Sequence, residues 1–122
     1  MATILLIDDS AFFRQVVRGF LEEAGHTVED FLPLSALEVL ERVKACAPDL
    51  VITDYNMPHV DGQGVIRMVR RHSGTVPVLL LTASHDPARE ERLRTHAPVT
   101  VLHKPVTGDK VVAAVKEMLS LS

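Results

Sequence analysis

The sequence predicts an α/β fold: a single doubly wound (βα)5 domain on a five-stranded parallel sheet of order 2-1-3-4-5. Three observations carry this expectation. Short apolar runs alternate with stretches of helical period five times along the chain. The runs at 4–7, 50–52 and 78–81 are continuously apolar, as strands covered on both faces should be. The other two, "TVEDF" (27–31) and "VTVL" (99–102), contain polar residues and suit the two edges of the sheet. With 122 residues the chain makes one domain, 1–122, large enough to bury a core and without a linker, repeat or effector domain.

The elements follow in order. "TILLI" (3–7) is the first strand and runs directly into Asp8 and Asp9. From Phe13, Val16, Val17, Phe20, Leu21 and Ala24 recur on one helical face, and Gly25 supplies a left-handed cap. "TVEDF" is the second strand. In "SALE", Ser35 and Glu38 form a capping box that opens a helix with Val39, Leu40, Val43 and Ala47 inward. "LVIT" (50–53) is the third strand and ends at Asp54; the helix starting near Gly62 buries Val65, Ile66 and Val69. "VLLLT" (78–82) ends at Thr82. Asp86 then caps a fourth helix with Pro87 in its first position, anchored by Leu93 and Ala97 amid charge. "VTVL" leads to Lys104, and the last helix runs from about Gly108 to Leu119 with Val111, Val112, Val115, Met118 and Leu119 available for packing.

Composition narrows the functional classes. The chain is 47% hydrophobic and 24% charged, with a net charge of −3, so no general attraction to nucleic acid or to an anionic membrane is expected. No run is long enough to span a bilayer and no signal peptide is visible, which reads as a soluble cytoplasmic protein. Cys46 is the one cysteine and reads as a small, unreactive, buried residue.

Chemistry concentrates where the strands end. In the order 2-1-3-4-5, strands 1 and 3 are neighbours at the topological switch point. Adjacent strands lie ~4.8 Å apart, so Asp8, Asp9 and Asp54 converge on one small volume. Unpaired, they raise one another's pKa; a divalent cation removes the conflict, and all-oxygen ligands suit Mg2+. Capping of the first helix by Asp9 or Ser10 accounts for one aspartate, not for three. Thr82 ends the strand beside Asp54. Lys104 ends the strand two positions away, ~10 Å off, within reach of a leaning stem. A nucleophilic carboxylate, a metal, a hydroxyl and an ammonium are the parts of a phosphoryl-transfer site, with Asp54 becoming an aspartyl phosphate.

The motifs "LLIDDS", "DLVITDYNMPHVDG", "PVLLLTAS" and "HKP" resemble those of response-regulator receiver domains, over about Thr3 to Leu119. The resemblance implies a flavodoxin-like fold and a two-component signalling switch. It implies Asp54 as phosphoacceptor, Asp8 and Asp9 as Mg2+ site acids, and the Asn56 backbone carbonyl as a further metal ligand. Thr82 is then the switch hydroxyl and Lys104 the phosphate contact, with a cis bond before Pro105. A histidine kinase or histidine phosphotransfer protein is the implied phosphodonor. A downstream protein is expected on the helix 4–strand 5–helix 5 face of a monomer or phosphorylation-dependent dimer. Two positions depart from the family pattern: Val101 stands where Tyr or Phe is usual, and "HAPVTV" replaces the usual approach to strand 5.

On this reading the chain catalyses only its own phosphorylation and dephosphorylation. An Mg2+-dependent hydrolase with an aspartate nucleophile is disfavoured, because Ser10 and Ala11 stand where its second acid belongs. A flavodoxin or dinucleotide-binding module needs a phosphate cradle after strand 1, and "DDSAFF" offers carboxylates. Arg70, Arg71 and His72 suit a helix C-terminus better than a nucleic-acid patch. The six histidines show no paired metal-ligand spacing, and His59 and His103 lie close to the site in sequence.

Overall fold

The continuously apolar runs become the centre of the sheet. In the computed structural model, which describes residues 1–121, the strands are β1 (Thr3–Ile7), β2 (Thr27–Phe31), β3 (Leu50–Asp54), β4 (Val78–Thr82) and β5 (Val99–His103). They are parallel and ordered β2-β1-β3-β4-β5. The helices are α1 (Ala11–Glu23), α2 (Ala36–Cys46), α3 (Gly62–His72), α4 (Pro87–Leu93) and α5 (Gly108–Ser120), and a 3-10 turn, Arg94–His96, follows α4. Every residue of β3 and β4 is buried, whereas β5 is half-open, as an edge strand should be.

The period of two along the strands splits the core into two clusters. Leu5, Ile7, Val51, Val78 and Leu80 face α2 and α3, meeting Val39, Val43, Val65, Ile66 and Val69. Ile4, Leu6, Ile52, Leu79 and Leu81 face α1 and α5, meeting Val17, Leu21, Val111, Val115 and Met118. The register pairs Asp54 with Leu81 and Thr82 with His103, so the C-terminal ends of the strands form one mouth.

Several local expectations are met and others need correction. After α1, Gly25 is left-handed (φ 99°), and the Gly25 and His26 amides donate to the Glu22 and Leu21 carbonyls, closing a Schellman motif. The predicted apolar face of α1 is only half used. Val17 and Leu21 are buried, but Val16 and Phe20 remain 38% and 42% exposed, Phe20 resting its ring against Gly108 at the start of α5. The Ser35 hydroxyl accepts from the Glu38 amide, but Glu38 answers the Leu34 amide rather than that of Ser35. Ala47 does not point inward; it is the left-handed cap of α2 (φ 47°). Ala97 is likewise exposed, where the chain leaves the 3-10 turn, so Leu93 is the one apolar residue of α4 that reaches the core. Cys46 is half-buried, and burial pushes its thiol up to about 11, in keeping with an inert side chain.

Candidate functional site

The acidic end of β1 is fixed by the turn into α1. Ser10 is the N-cap of that helix, its hydroxyl accepting from the Phe13 amide. The Ser10 amide in turn donates to Asp8 Oδ1 at 2.9 Å, and Arg14 holds the Asp8 carbonyl. Asp8 is 1% exposed and Asp54 6%, while Asp9 stands in solvent. One oxygen from each lies within 4.8 Å of those of the other two. Proximity predicted from the ends of β1 and β3 is thus observed.

Electrostatics show the cost of that convergence. Burial, augmented by the Asp54 charge, raises the Asp8 pKa from its ordinary value to about 6, against the lowering effects of the Ser10 amide and Lys104. Asp54 is also raised, chiefly by burial, against Lys104. Lys104 crosses the mouth as expected, its Nζ 3.1 Å from Asp54 Oδ1 and 4.0 Å from Asp8 Oδ2. The Tyr55 amide donates to the same Asp54 oxygen at 3.0 Å. Asp8 Oδ2 is buried without a hydrogen-bond partner. An orphaned carboxylate oxygen among three acids is what a hard, oxygen-seeking cation would satisfy, so the residues fit Mg2+.

The remaining predicted residues lie around this cluster. Asn56 is exposed on the loop after β3. That loop folds back so that the Gly62 amide donates to the Tyr55 carbonyl at 2.8 Å, and a Cβ at Gly62 would fall 2.9 Å from Tyr55 Cα. Glycine is required there by contact, not by its dihedral angles. The Lys104–Pro105 bond is cis, as the resemblance implies, and so is Ala97–Pro98, which it does not.

Thr82 is fully buried, and its hydroxyl is already engaged. It accepts from the Ser84 amide (3.2 Å) and from Arg89 Nη2 (3.3 Å), and lies 3.1 Å from Ser84 Oγ. Arg89 is a residue the sequence did not single out for the site, because a charge-rich α4 reads as solvated. Glu90, in the same helix, is also buried rather than solvated, with Oε2 2.8 Å from His103 Nε2. His103 holds the Glu90 carboxyl below its ordinary value, and the His85 ring stacks on His103 at 4.0 Å. Only the pairing of β4 with β5 brings these together.

The family model for the response regulator receiver domain matches residues 4–116. The chain belongs to that family. Phosphoryl acceptance on an aspartate is the family's role in two-component signalling, and receivers generally bind Mg2+ at an acidic cluster of this kind. A histidine kinase phosphodonor and a downstream effector go with such a domain. The receiver is similar to response regulator MprA of Mycobacterium ulcerans (strain Agy99), 30% identical over 116 residues, covering 95% of this chain and 49% of that protein. It is similar to the DNA-binding transcriptional regulator NtrC of Escherichia coli (strain K12), 28% identical over 117 residues, covering 96% of this chain and 24% of that one. It thus spans about a quarter to a half of the length of these relatives. Among solved structures it is similar to the chemotaxis response regulator CheY4 of Vibrio cholerae, with a TM-score of 0.85 and 28% identity over 97% of this chain and 98% of that chain. Among the described residues no helix is long and apolar enough to cross a membrane.

Proposed function

We propose that this receiver takes its phosphoryl group on Asp54 and uses it to change partner binding. The observation that carries this reading is the convergence of Asp8, Asp9 and Asp54 with Lys104 at one sheet mouth. Asp54 is the central carboxylate of that group, buried at the end of β3 and held in line by the Tyr55 amide. An Asp54 oxygen attacks phosphorus, the phosphorus–nitrogen bond to the donor histidine breaks, and the bonding pair leaves with the imidazole. Lys104 neutralises one phosphoryl oxygen and the Thr82 hydroxyl turns to donate to another. Asp8, Asp9, Asp54 and the Asn56 backbone carbonyl would hold Mg2+, which when bound offsets charge on the transferring group. The catalysis we assign to the chain is that of its own phosphorylation and dephosphorylation.

The response we propose belongs to the face of α4, β5 and α5. With Leu93 as its one buried apolar residue, the seven-residue α4 has little apolar anchorage and depends on polar contacts, which suits it to two arrangements. A protein partner on this face, or a second receiver, would read the change; direct nucleic-acid binding is not proposed. Incubation with acetyl phosphate and Mg2+ followed by intact mass is expected to show one added phosphate, absent in Asp54→Asn. Equal uptake by Asp54→Asn would overturn the assignment.

A further inference from the structure

Arg89 takes no part in the acidic cluster, yet it reaches the same sheet mouth through Thr82. The residue lies in the first turn of α4, whose N-cap is Asp86. Its guanidinium carbon sits 3.8 Å from the Tyr55 ring centroid, and Tyr55 directly follows Asp54. Nη2 donates to Ser84 Oγ at 2.6 Å and to Thr82 Oγ1 at 3.3 Å. Nε is buried without a hydrogen-bond partner among the described residues. Among the described residues no carboxylate lies within ion-pair distance of this guanidinium. A cation held by an aromatic face and two neutral hydroxyls, with a spare buried donor, is an incomplete arrangement. Arginine's planar fork is matched in geometry by phosphate oxygens.

The missing anion is supplied by the reaction. An aspartyl phosphate brings about two negative charges to the mouth, and Lys104 faces them from beyond the end of β5. Thr82 is the group that both parties share: the hydroxyl proposed to meet the phosphoryl group is the one Arg89 already touches. We infer that Arg89 is a phosphoryl-positioning residue of this receiver: its guanidinium, docked on Tyr55, joins Thr82 in binding the phosphoryl group on Asp54. This rests on the reading of Asp54 as acceptor. It also gives α4 a direct link to the phosphorylated state, since the residue that binds the anion is part of that helix.

The test uses beryllofluoride as the phosphoryl mimic, titrated by calorimetry into wild type, Arg89→Gln, Arg89→Lys and Asp54→Asn in saturating Mg2+. Loss of one charge-assisted contact predicts about 10-fold weaker binding in Arg89→Gln. Arg89→Lys keeps the charge without the fork and is expected to lose less, about 3-fold. Mg2+ affinity measured without beryllofluoride is expected not to fall in either, whereas a merely structural loss would lower it. Binding by Arg89→Gln equal to or tighter than wild type overturns the inference; tighter binding would mean that Arg89 clamps the resting state instead. A larger loss in Arg89→Lys than in Arg89→Gln overturns it too, because a retained cation would then hinder binding of the anion. If wild type binds no better than Asp54→Asn, the Asp54 reading itself falls, and this inference with it.

Discussion

Asp8 shows at the scale of one residue how a functional group is held against its own preference. Its carboxyl is buried, one oxygen is unpartnered, and its pKa is pushed up to about 6. Because the folded value lies above the unfolded one, the native state binds more protons between about pH 4 and pH 6. Stability of the metal-free domain therefore falls as pH rises through that window. Asp8→Asn keeps the oxygen that accepts from Ser10 and removes the charge. It is expected to stabilise the metal-free protein at pH 7.5 by about 2 kcal/mol in urea unfolding, and to flatten the slope between pH 4 and 6. Mg2+ is expected to raise the melting temperature of the wild type, and this variant is expected to lack that effect. An unchanged or lower stability for Asp8→Asn would show that the carboxylate is not strained.

At the scale of elements, the joint between α3, β4 and β5 depends on Arg70. The sequence suggests a basic helix end favoured by the dipole, but the contacts are more specific. Arg70 donates to the carbonyls of His96, Ser73, Val76 and Pro98, tying the end of α3 to the entries of β4 and β5. Burial lowers its pKa without discharging it. Lysine cannot span four acceptors from one nitrogen, so Arg70→Lys is expected to cost about 2 kcal/mol in urea unfolding while leaving beryllofluoride affinity unchanged. A loss below about 0.5 kcal/mol would mean that the bonds are replaced by water. The strands and the acidic cluster were legible because apolar continuity and strand-end position are properties of adjacent residues. Arg70, Arg89 and Glu90 were not, because a charged residue in a helix looks the same in sequence whether it meets solvent or another element. Val16 and Phe20 failed for the converse reason: periodicity defines a face but not how wide a neighbour covers it.

For the whole molecule, the sheet is a wall between two cores. Val17 packs among the cluster under α1 and α5, and Val69 among that under α2 and α3. Because the two belong to separate clusters on opposite faces of the sheet, cavities at them should not relieve each other. Val17→Ala and Val69→Ala are each expected to cost about 2 kcal/mol, and the double variant the sum to within about 0.5 kcal/mol, read from denaturant midpoints. A larger coupling would mean that the sheet itself deforms to fill the space.

Lys104, with its Nζ beside both Asp54 and Asp8, has a consequence for how such a domain is made. The ammonium is a placeholder, covalently tethered and present from the moment the chain is synthesised. It partly balances the acids before any solute arrives, so folding does not have to wait for an ion whose supply varies. On the proposed reading, what the ion then adds is permission to react. Assembly is thereby insured by the polypeptide, and readiness to signal is left to the surroundings.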